Sequence, residues 1–273
     1  MKVFISADME GTAGVTDWDQ VMPDRPDYAR FRRLMTEEVN AAILGALEAG
    51  AKEIVVNDSH NTMRNLLIEE LHPQAQLISG SPKPFGMMQG IDNSFDAVLY
   101  TGYHAAAGTQ NGVLDHSYSG LSVRQIKLGN LVVGEAGLNA ALAGHFKVPI
   151  VLVTGDTTAV AQVKKLIPHV EAVSVKEPIG RLAARSFQPV EARRRIKEGV
   201  TRALKRLKEL KPLTLPRPIA LELDLTYTAM ADHCMLIPGM TRINPRAVNY
   251  KARDAEQAYT VTMACLVLAR STL

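Results

Sequence analysis

The sequence holds only two cysteines and one tryptophan in 273 residues, and aromatic residues make up 5% of it. Cys234 and Cys265 stand at no metal-ligand spacing, so thiolate zinc sites and a disulfide framework are set aside and both thiols are expected to be free. Few aromatic rings means few stacking platforms for single-stranded nucleic acid. Long apolar runs are also missing. The longest, Met263 to Ala269, is far short of the about 20 residues that a membrane span needs. The opening Met-Lys-Val-Phe-Ile-Ser soon meets an acid where a signal peptide would carry its apolar core, so a cytoplasmic protein with no membrane partner is expected. No Gly-x-Gly-x-x-Gly succeeds the first apolar run, which removes dinucleotide binding.

Excess charge of one sign is slight, a net +3, but it is concentrated: residues 181–211 hold 11 Lys and Arg against 3 Asp and Glu. Within that window Ile196, Val200, Ala203, Leu204, Leu207 and Leu210 recur at helical spacing. The basic residues therefore occupy the solvated face of an amphipathic helix, and no nucleic-acid partner is expected. With 47% hydrophobic and 22% charged residues, the chain has the composition of an ordinary globular protein.

Short β-branched runs alternate with helical periods. Val3–Ile5, Ile54–Val56, Ala97–Tyr100 and Ile150–Val153 read as buried parallel strands. Phe31, Leu34, Met35, Val39, Ala42, Ile43, Ala46 and Leu47 mark a helix, with Pro26 near its start and Gly50 just past its end. Further helices are predicted over 135–147, 157–167, 190–210 and 254–271. The last is apolar almost all round near Met263–Ala269, which suggests burial within the fold or at a subunit contact. The alternation predicts a three-layer α/β/α fold with a mostly parallel central sheet. The only proline-dense connector is Leu210–Pro218, so residues 1–211 are expected to form a metal-binding core and 212–273 a smaller C-terminal α/β portion packed on it.

The ends of the strands carry the chemistry. The first strand runs into Asp8-Met9-Glu10-Gly11, the second into Asn57-Asp58-Ser59-His60, the third into Gly102-Tyr103-His104 and the fourth into Gly155-Asp156, while Leu131–Val133 leads to Gly134-Glu135 at a helix start. In open α/β sheets ligands bind beyond the carboxyl ends of the strands, so these distant residues are expected to meet along one edge. Asp8 and Glu10, two apart in extended chain, face one side, and two such carboxylates repel unless a positive charge lies between them. With His60, His104 and Glu135 they form a mixed nitrogen and oxygen set suited to zinc, with manganese, cobalt or iron as alternatives. Five donors exceed one tetrahedral zinc with an open position, but they fit two ions about 3.5–4 Å apart, with Asp8 as the bridge. Asp58, Asp115 and Asp156 stand either as partners that orient imidazoles or as turn and cap residues. Trp18 is placed as a pocket wall or a loop anchor, and Arg64 as a carboxylate receptor or a solvated side chain. His72, His145, His169 and His233 have no supporting pattern and are read as structural.

These segments resemble the zinc-dependent D-aminopeptidases of the dipeptide-transport-protein A type. Ser6-Ala7-Asp8-Met9-Glu10-Gly11 fits that family's Ser-x-Asp-x-Glu-Gly opening. Asn57-Asp58-Ser59-His60, the Gly-Tyr-His ending at His104, His116 within Leu114-Asp115-His116-Ser117, and Gly134-Glu135 occur in matching order. The resemblance implies two zinc ions per subunit held at Asp8, Glu10, His60, His104 and Glu135, and removal of N-terminal D-amino acids from short peptide substrates. It further implies a catalytic His116, described as the nucleophile, and a homo-oligomer, a ring-like decamer with sites facing an inner channel. On chemical grounds a proton shuttle is the preferred role for His116, since imidazole titrates near neutrality. The family's Gly after the second-motif His is replaced by Asn61. Asn tolerates left-handed backbone, so the turn is expected to persist, with altered contacts over Asn61–Asn65.

Two rival readings fit parts of the pattern. Asp8-Met9-Glu10-Gly11-Thr12 echoes the nucleophile loop of haloacid-dehalogenase-like phosphatases, although His60 and His104 would then have no task. A non-catalytic peptide-binding transport component is the other.

Overall fold

The computed structural model describes residues 1–273. Along the chain run β1 (Lys2–Ala7), α1 (Tyr28–Glu48), β2 (Glu53–Asp58), β3 (Ala75–Ile78), β4 (Ala97–Tyr103), β5 (Val123–Leu128), β6 (Leu131–Val133), α2 (Glu135–His145) and β7 (Ile150–Asp156). Next come α3 (Thr157–Leu166), β8 (Glu171–Gly180), β9 (Ala183–Ser186), α4 (Pro189–Lys205), β10 (Ile219–Leu225), α5 (Thr228–Cys234), β11 (Met240–Arg242), β12 (Ala247–Ala252) and α6 (Ala255–Arg270). The principal sheet has the order β3-β2-β1-β4-β7-β8-β9 and is parallel except for β9. Strands β1, β4 and β7 are buried on both faces, which is why they read as continuous apolar runs in the sequence.

Helices cover both faces, as the sequence predicts for an α/β/α sandwich. On one side α1 and α4 pack together. Phe31, Met35, Val39 and Ile43 of α1 and Ile196, Val200 and Leu204 of α4 join Ile5, Val56, Leu99 and Val151 in one core. The basic residues of α4 lie outside it, with Arg194 and Arg195 on Glu191 and Arg202 on Glu171, so the charged window is a solvated helix face. On the other side Phe4, Val98, Tyr100 and Val153 pack with Leu138 and Leu142 of α2 and Val160 and Val163 of α3. Against α2 lies α6, which also touches β10 and β12 of a second, antiparallel sheet ordered β11-β12-β10-β5-β6. That sheet draws on both sides of residue 212: β10 of the C-terminal segment pairs with β5 from the first 211 residues. Helix α6 buries Tyr259, Val261 and Cys265 within the chain, whereas Val267 is 72% exposed. No helix is long and apolar enough to cross a membrane.

Strand order reverses between β1 and β4, where β2 leads off one way and β4 the other, and loops there leave in opposite directions to open a crevice. The register sets Ala7 against both Asp58 and Thr101, so the segments after β1, β2 and β4 start at one level. Backbone bonds from Asp8 N to Thr101 O and from Ser59 N to Ala7 O, both 2.8 Å, carry the pairing past the strand ends. Gly11 allows a close approach of the two backbones: a Cβ there would lie 2.1 Å from Tyr103 O.

Lys176 of β8, which no sequence pattern marks, pins the same loop from below. Its fully buried ammonium donates to Glu10 O at 2.5 Å, Thr12 O at 3.0 Å and Val15 O at 2.7 Å. Burial lowers its pKa to about 8. From α1, Glu38 Oε1 accepts the Ala13 N–H at 2.8 Å, while its Oε2 has no partner. A protonated carboxyl suits that site, since burial lifts the Glu38 pKa to about 7.

Replacing Gly11 with Ala forces its neighbours apart and is expected to cost about 3 kcal/mol, read from the urea midpoint; an unchanged midpoint would refute the close approach. The folded protein keeps the Glu38 proton where the unfolded chain has released it, so stability falls as pH rises from about 4.5 to 7. In Glu38→Gln that contribution disappears. The stability advantage of wild type over the variant should shrink by roughly 2 kcal/mol between pH 5 and pH 7.5, and parallel curves would show that Glu38 does not titrate there.

Candidate active site

Four connections deliver six titratable side chains to the crevice. Asp8 and Glu10 come after β1, His60 after β2 and His104 after β4, Glu135 opens α2 behind its Gly134 N-cap, and His116 sits in the irregular segment between β4 and β5. Asp8, Glu10, His60, His104 and Glu135 are buried, and the His116 side chain is 11% exposed. His60 Nδ1 lies 3.3 Å from Asp8 Oδ1 and 3.0 Å from Glu10 Oε2. His104 Nε2 lies 3.5 Å from Asp8 Oδ2 and 3.3 Å from Glu135 Oε1. His116 Nε2 is 3.8 Å from Glu10 and 3.6 Å from Glu135. The residues predicted to meet do meet.

Each imidazole spends its other nitrogen on a backbone carbonyl. His60 Nε2 donates to Val21 O at 2.7 Å, His104 Nδ1 to Ala105 O at 2.9 Å and His116 Nδ1 to Leu114 O at 2.8 Å. A carbonyl only accepts, so the ring proton is fixed on that side and the inner nitrogen turns its lone pair to the carboxylates. Asp8 Oδ2 and Glu10 Oε2 are then left without a hydrogen-bond donor in a place water does not reach. Lone pairs facing orphaned carboxylate oxygens call for a cation. Two sets of donor atoms, each within 4.8 Å of one another, meet that need: Asp8, Glu10 and His60, and Asp8, His104 and Glu135. They share Asp8. A third such set, Glu10, His104 and His116, overlaps both. The mixed nitrogen and oxygen donors fit zinc.

Without a metal, protons take up the charge. Burial and the neighbouring Glu10 push the Asp8 carboxyl well above the usual range. Burial opposes ionisation of Glu10 and Glu135 too, but the adjacent imidazoles outweigh it and hold both below the ordinary value. Burial also works against charging His104, yet Glu135 and Asp8 raise it to about 10, and His60 is likewise raised by Glu10 and Asp8. His116 moves the other way, lowered by burial and by the charge of His104, and so is neutral at pH 7.

The outer residues differ from part of the sequence expectation. None of Asp58, Asp115 and Asp156 touches an imidazole. Asp58 accepts from Asn65 N at 2.6 Å and Leu66 N at 2.7 Å and so shapes the turn after His60, where Asn61 takes the expected left-handed backbone with φ 47°. Asp156 caps α3 through Thr158 N and Ala159 N, both 2.9 Å, and Asp115 accepts from Gly108 N and Arg181. Backbone carbonyls, not these carboxylates, orient the rings. Trp18 does line the site, its ring 5.5 Å from that of His116, and His116 stacks on His104 at 4.0 Å with 6° between planes. Arg64 is exposed. Sequence reasoning missed Tyr118, whose N–H donates to Glu135 Oε1 at 2.5 Å. Tyr118 does not stand out among the tyrosines of the chain. Ser6, the first residue of the opening motif, has no task assigned by the sequence; its hydroxyl joins Ser59 at 2.8 Å and Tyr103 at 2.7 Å beneath the loops.

A phosphatase nucleophile needs a carboxylate open to its substrate, and Asp8, 3% exposed between two imidazoles, is not arranged for that. Comparison with known proteins points the same way. The D-aminopeptidase family model Peptidase_M55 matches residues 1–264. A D-aminopeptidase of Bacillus subtilis (strain 168) is 39% identical over 273 residues, which cover 100% of this chain and 99% of the relative. The solved structure of the Zn-dependent D-aminopeptidase DppA from Bacillus subtilis, described as a self-compartmentalizing protease, superposes with a TM-score of 0.96 at 39% identity, covering 99% of this chain and 98% of that one. Matched in sequence and in fold over nearly its full length, the chain belongs to the M55 family of D-aminopeptidases.

Proposed function

We propose that this protein is a zinc aminopeptidase that removes N-terminal D-amino acids from short peptides, with two ions per subunit. In this reading Asp8 bridges them, Glu10 and His60 complete one position, and His104 and Glu135 complete the other. The observation that carries it is the sharing of Asp8 by two donor sets whose remaining members do not overlap. The names of the family and of its Bacillus subtilis relative support the substrate class.

When bound, a pair of such cations polarises the scissile carbonyl and acidifies water at neutral pH. The chain itself supplies a base: burial favours the neutral ring of His116, its Nδ1–H is committed to Leu114 O, and its Nε2 lone pair points into the site. It takes the proton of the attacking water at Nε2 and returns it to the leaving amine. Glu10 and Glu135, 3.8 and 3.6 Å from Nε2, favour the imidazolium that forms between the two transfers. Stacking on His104 and the edge of Trp18 keep the ring from turning away.

The proposal extends to assembly and location. Self-compartmentalization of the relative supports an enclosing homo-oligomer, and the family resemblance makes it a ring-like decamer with sites facing an inner channel. The two free, buried cysteines suit a cytoplasmic protein.

Measurement of D-alanine release from D-alanyl-D-alanine, with elemental analysis of the same sample, tests the whole reading. His116→Ala should keep its zinc and lose at least about a thousandfold in kcat, and retained turnover would remove His116 from the mechanism. Asp8→Ala should lose both ions and Glu135→Ala one; equal losses would refute the bridge. Each ligand must be free of its proton to bind, so chelator competition should give a zinc affinity that falls as pH is lowered from 8 to 6.

A further inference from the structure

The segment that carries His116 has no secondary structure of its own, since Ala105–Ser122 contains neither helix nor strand. Three of its residues, Asn111, Leu114 and Tyr118, hold a left-handed backbone at φ 56°, 50° and 58°, a conformation side-chain-bearing residues rarely adopt. Such a segment keeps its shape only if neighbours impose it. At Leu114 and Asp115 three of the hydrogen bonds come from one residue, Arg181, at the tip of the β8–β9 hairpin. Leu114 N–H donates to Arg181 O at 3.0 Å. Arg181 Nε donates to Asp115 Oδ1 at 2.7 Å and its Nη2 to Asp115 O at 3.2 Å. The other Asp115 oxygen accepts from Gly108 N at 2.7 Å, so the carboxylate ties the hairpin tip to the start of the segment.

The residue anchored to the hairpin is also the one that orients the imidazole. Leu114 gives its N–H to Arg181 and its carbonyl to His116 Nδ1. On the far side the Arg181 guanidinium lies 5.6 Å from the centre of the Trp18 ring, and that ring meets His116 edge-on. The Arg181 side chain therefore braces His116 from two directions, through Asp115, which joins Leu114 to His116, and through the indole of Trp18, while its own carbonyl adds the bond from the Leu114 N–H. Its side chain is 49% exposed, so it fills no part of either core.

We infer that Arg181 is a positioning residue for His116, holding the imidazole in register with the carboxylates from the tip of a hairpin that donates no ligand. The inference rests on the aminopeptidase reading above. It makes the planar fork of the guanidinium, not its charge alone, the operative feature, because two different nitrogens bind the side chain and the backbone of one residue.

Full-length wild type, Arg181→Ala, Arg181→Lys and Asp115→Asn, and the double variant R181A/D115N, are compared on D-alanyl-D-alanine. Arg181→Ala should lose about tenfold to hundredfold in kcat, with KM within about twofold and zinc content and thermal midpoint unchanged. Arg181→Lys should recover only part of the loss, and R181A/D115N should be no slower than the worse single variant. Because the chain has one tryptophan, its emission reports on this contact alone and should shift in Arg181→Ala. Wild-type kcat in Arg181→Ala would overturn the proposal, as would a loss of kcat that tracks loss of zinc or of thermal stability. Amide hydrogen exchange decides the matter if the wild type proves inactive on this peptide. Faster exchange over residues 113–117 in Arg181→Ala would leave the brace standing while the substrate reading falls, and unchanged exchange there would remove the brace.

Discussion

Three carboxylates and three imidazoles share a largely buried volume, and the fold around them is arranged to neutralise that charge. Burying Asp8, Glu10 and Glu135 together is costly unless positive charge lies within a few ångströms. The imidazoles are the nearest source, and protons on His60 and His104 balance the carboxylates in the absence of a metal. A bound cation would take the place of those protons at rings that are already oriented, because their opposite nitrogens are fixed by Val21, Ala105 and Leu114. The carbonyls do the orienting, and they bring no further negative charge into the site.

Much of this is legible in the sequence, for a definite reason. Buried parallel strands are continuous apolar runs, so Val3–Ile5, Ile54–Val56 and Ile150–Val153 announce themselves, and polar residues at the ends of such runs are conspicuous. That contrast makes Asp8, His60 and His104 readable as one constellation from residue order alone. Strands with mixed faces give no such signal. Neither β5, Val123–Leu128, with two charged residues in six, nor β8, in which Lys176 and Glu177 interrupt the apolar pattern, stands out. The roles of Lys176 and Arg181 are hidden with them. Both act through backbone carbonyls or a single carboxylate far away in sequence, and a lone basic residue carries no spacing that betrays such a task.

Asp58, Asp115 and Asp156 show the limit from another side. An acid after a strand can orient an imidazole or shape a turn, and residue type does not distinguish the two. The structure assigns all three to turns, caps and an ion pair, where they hold the loops and leave the rings to the main chain.

The two sheets contribute unequally to the site. Asp8, His60 and His104 leave the parallel sheet, but Glu135 comes after β6, the edge strand of the antiparallel one. Strand β6 pairs only with β5, and β5 is otherwise held by β10, which begins at Ile219. During synthesis, therefore, the first donor set has its strands as soon as β4 is made, whereas the platform beneath Glu135 waits for β10. One half of the charged cluster rests on strands made early in translation, and the other on a sheet that a later strand completes.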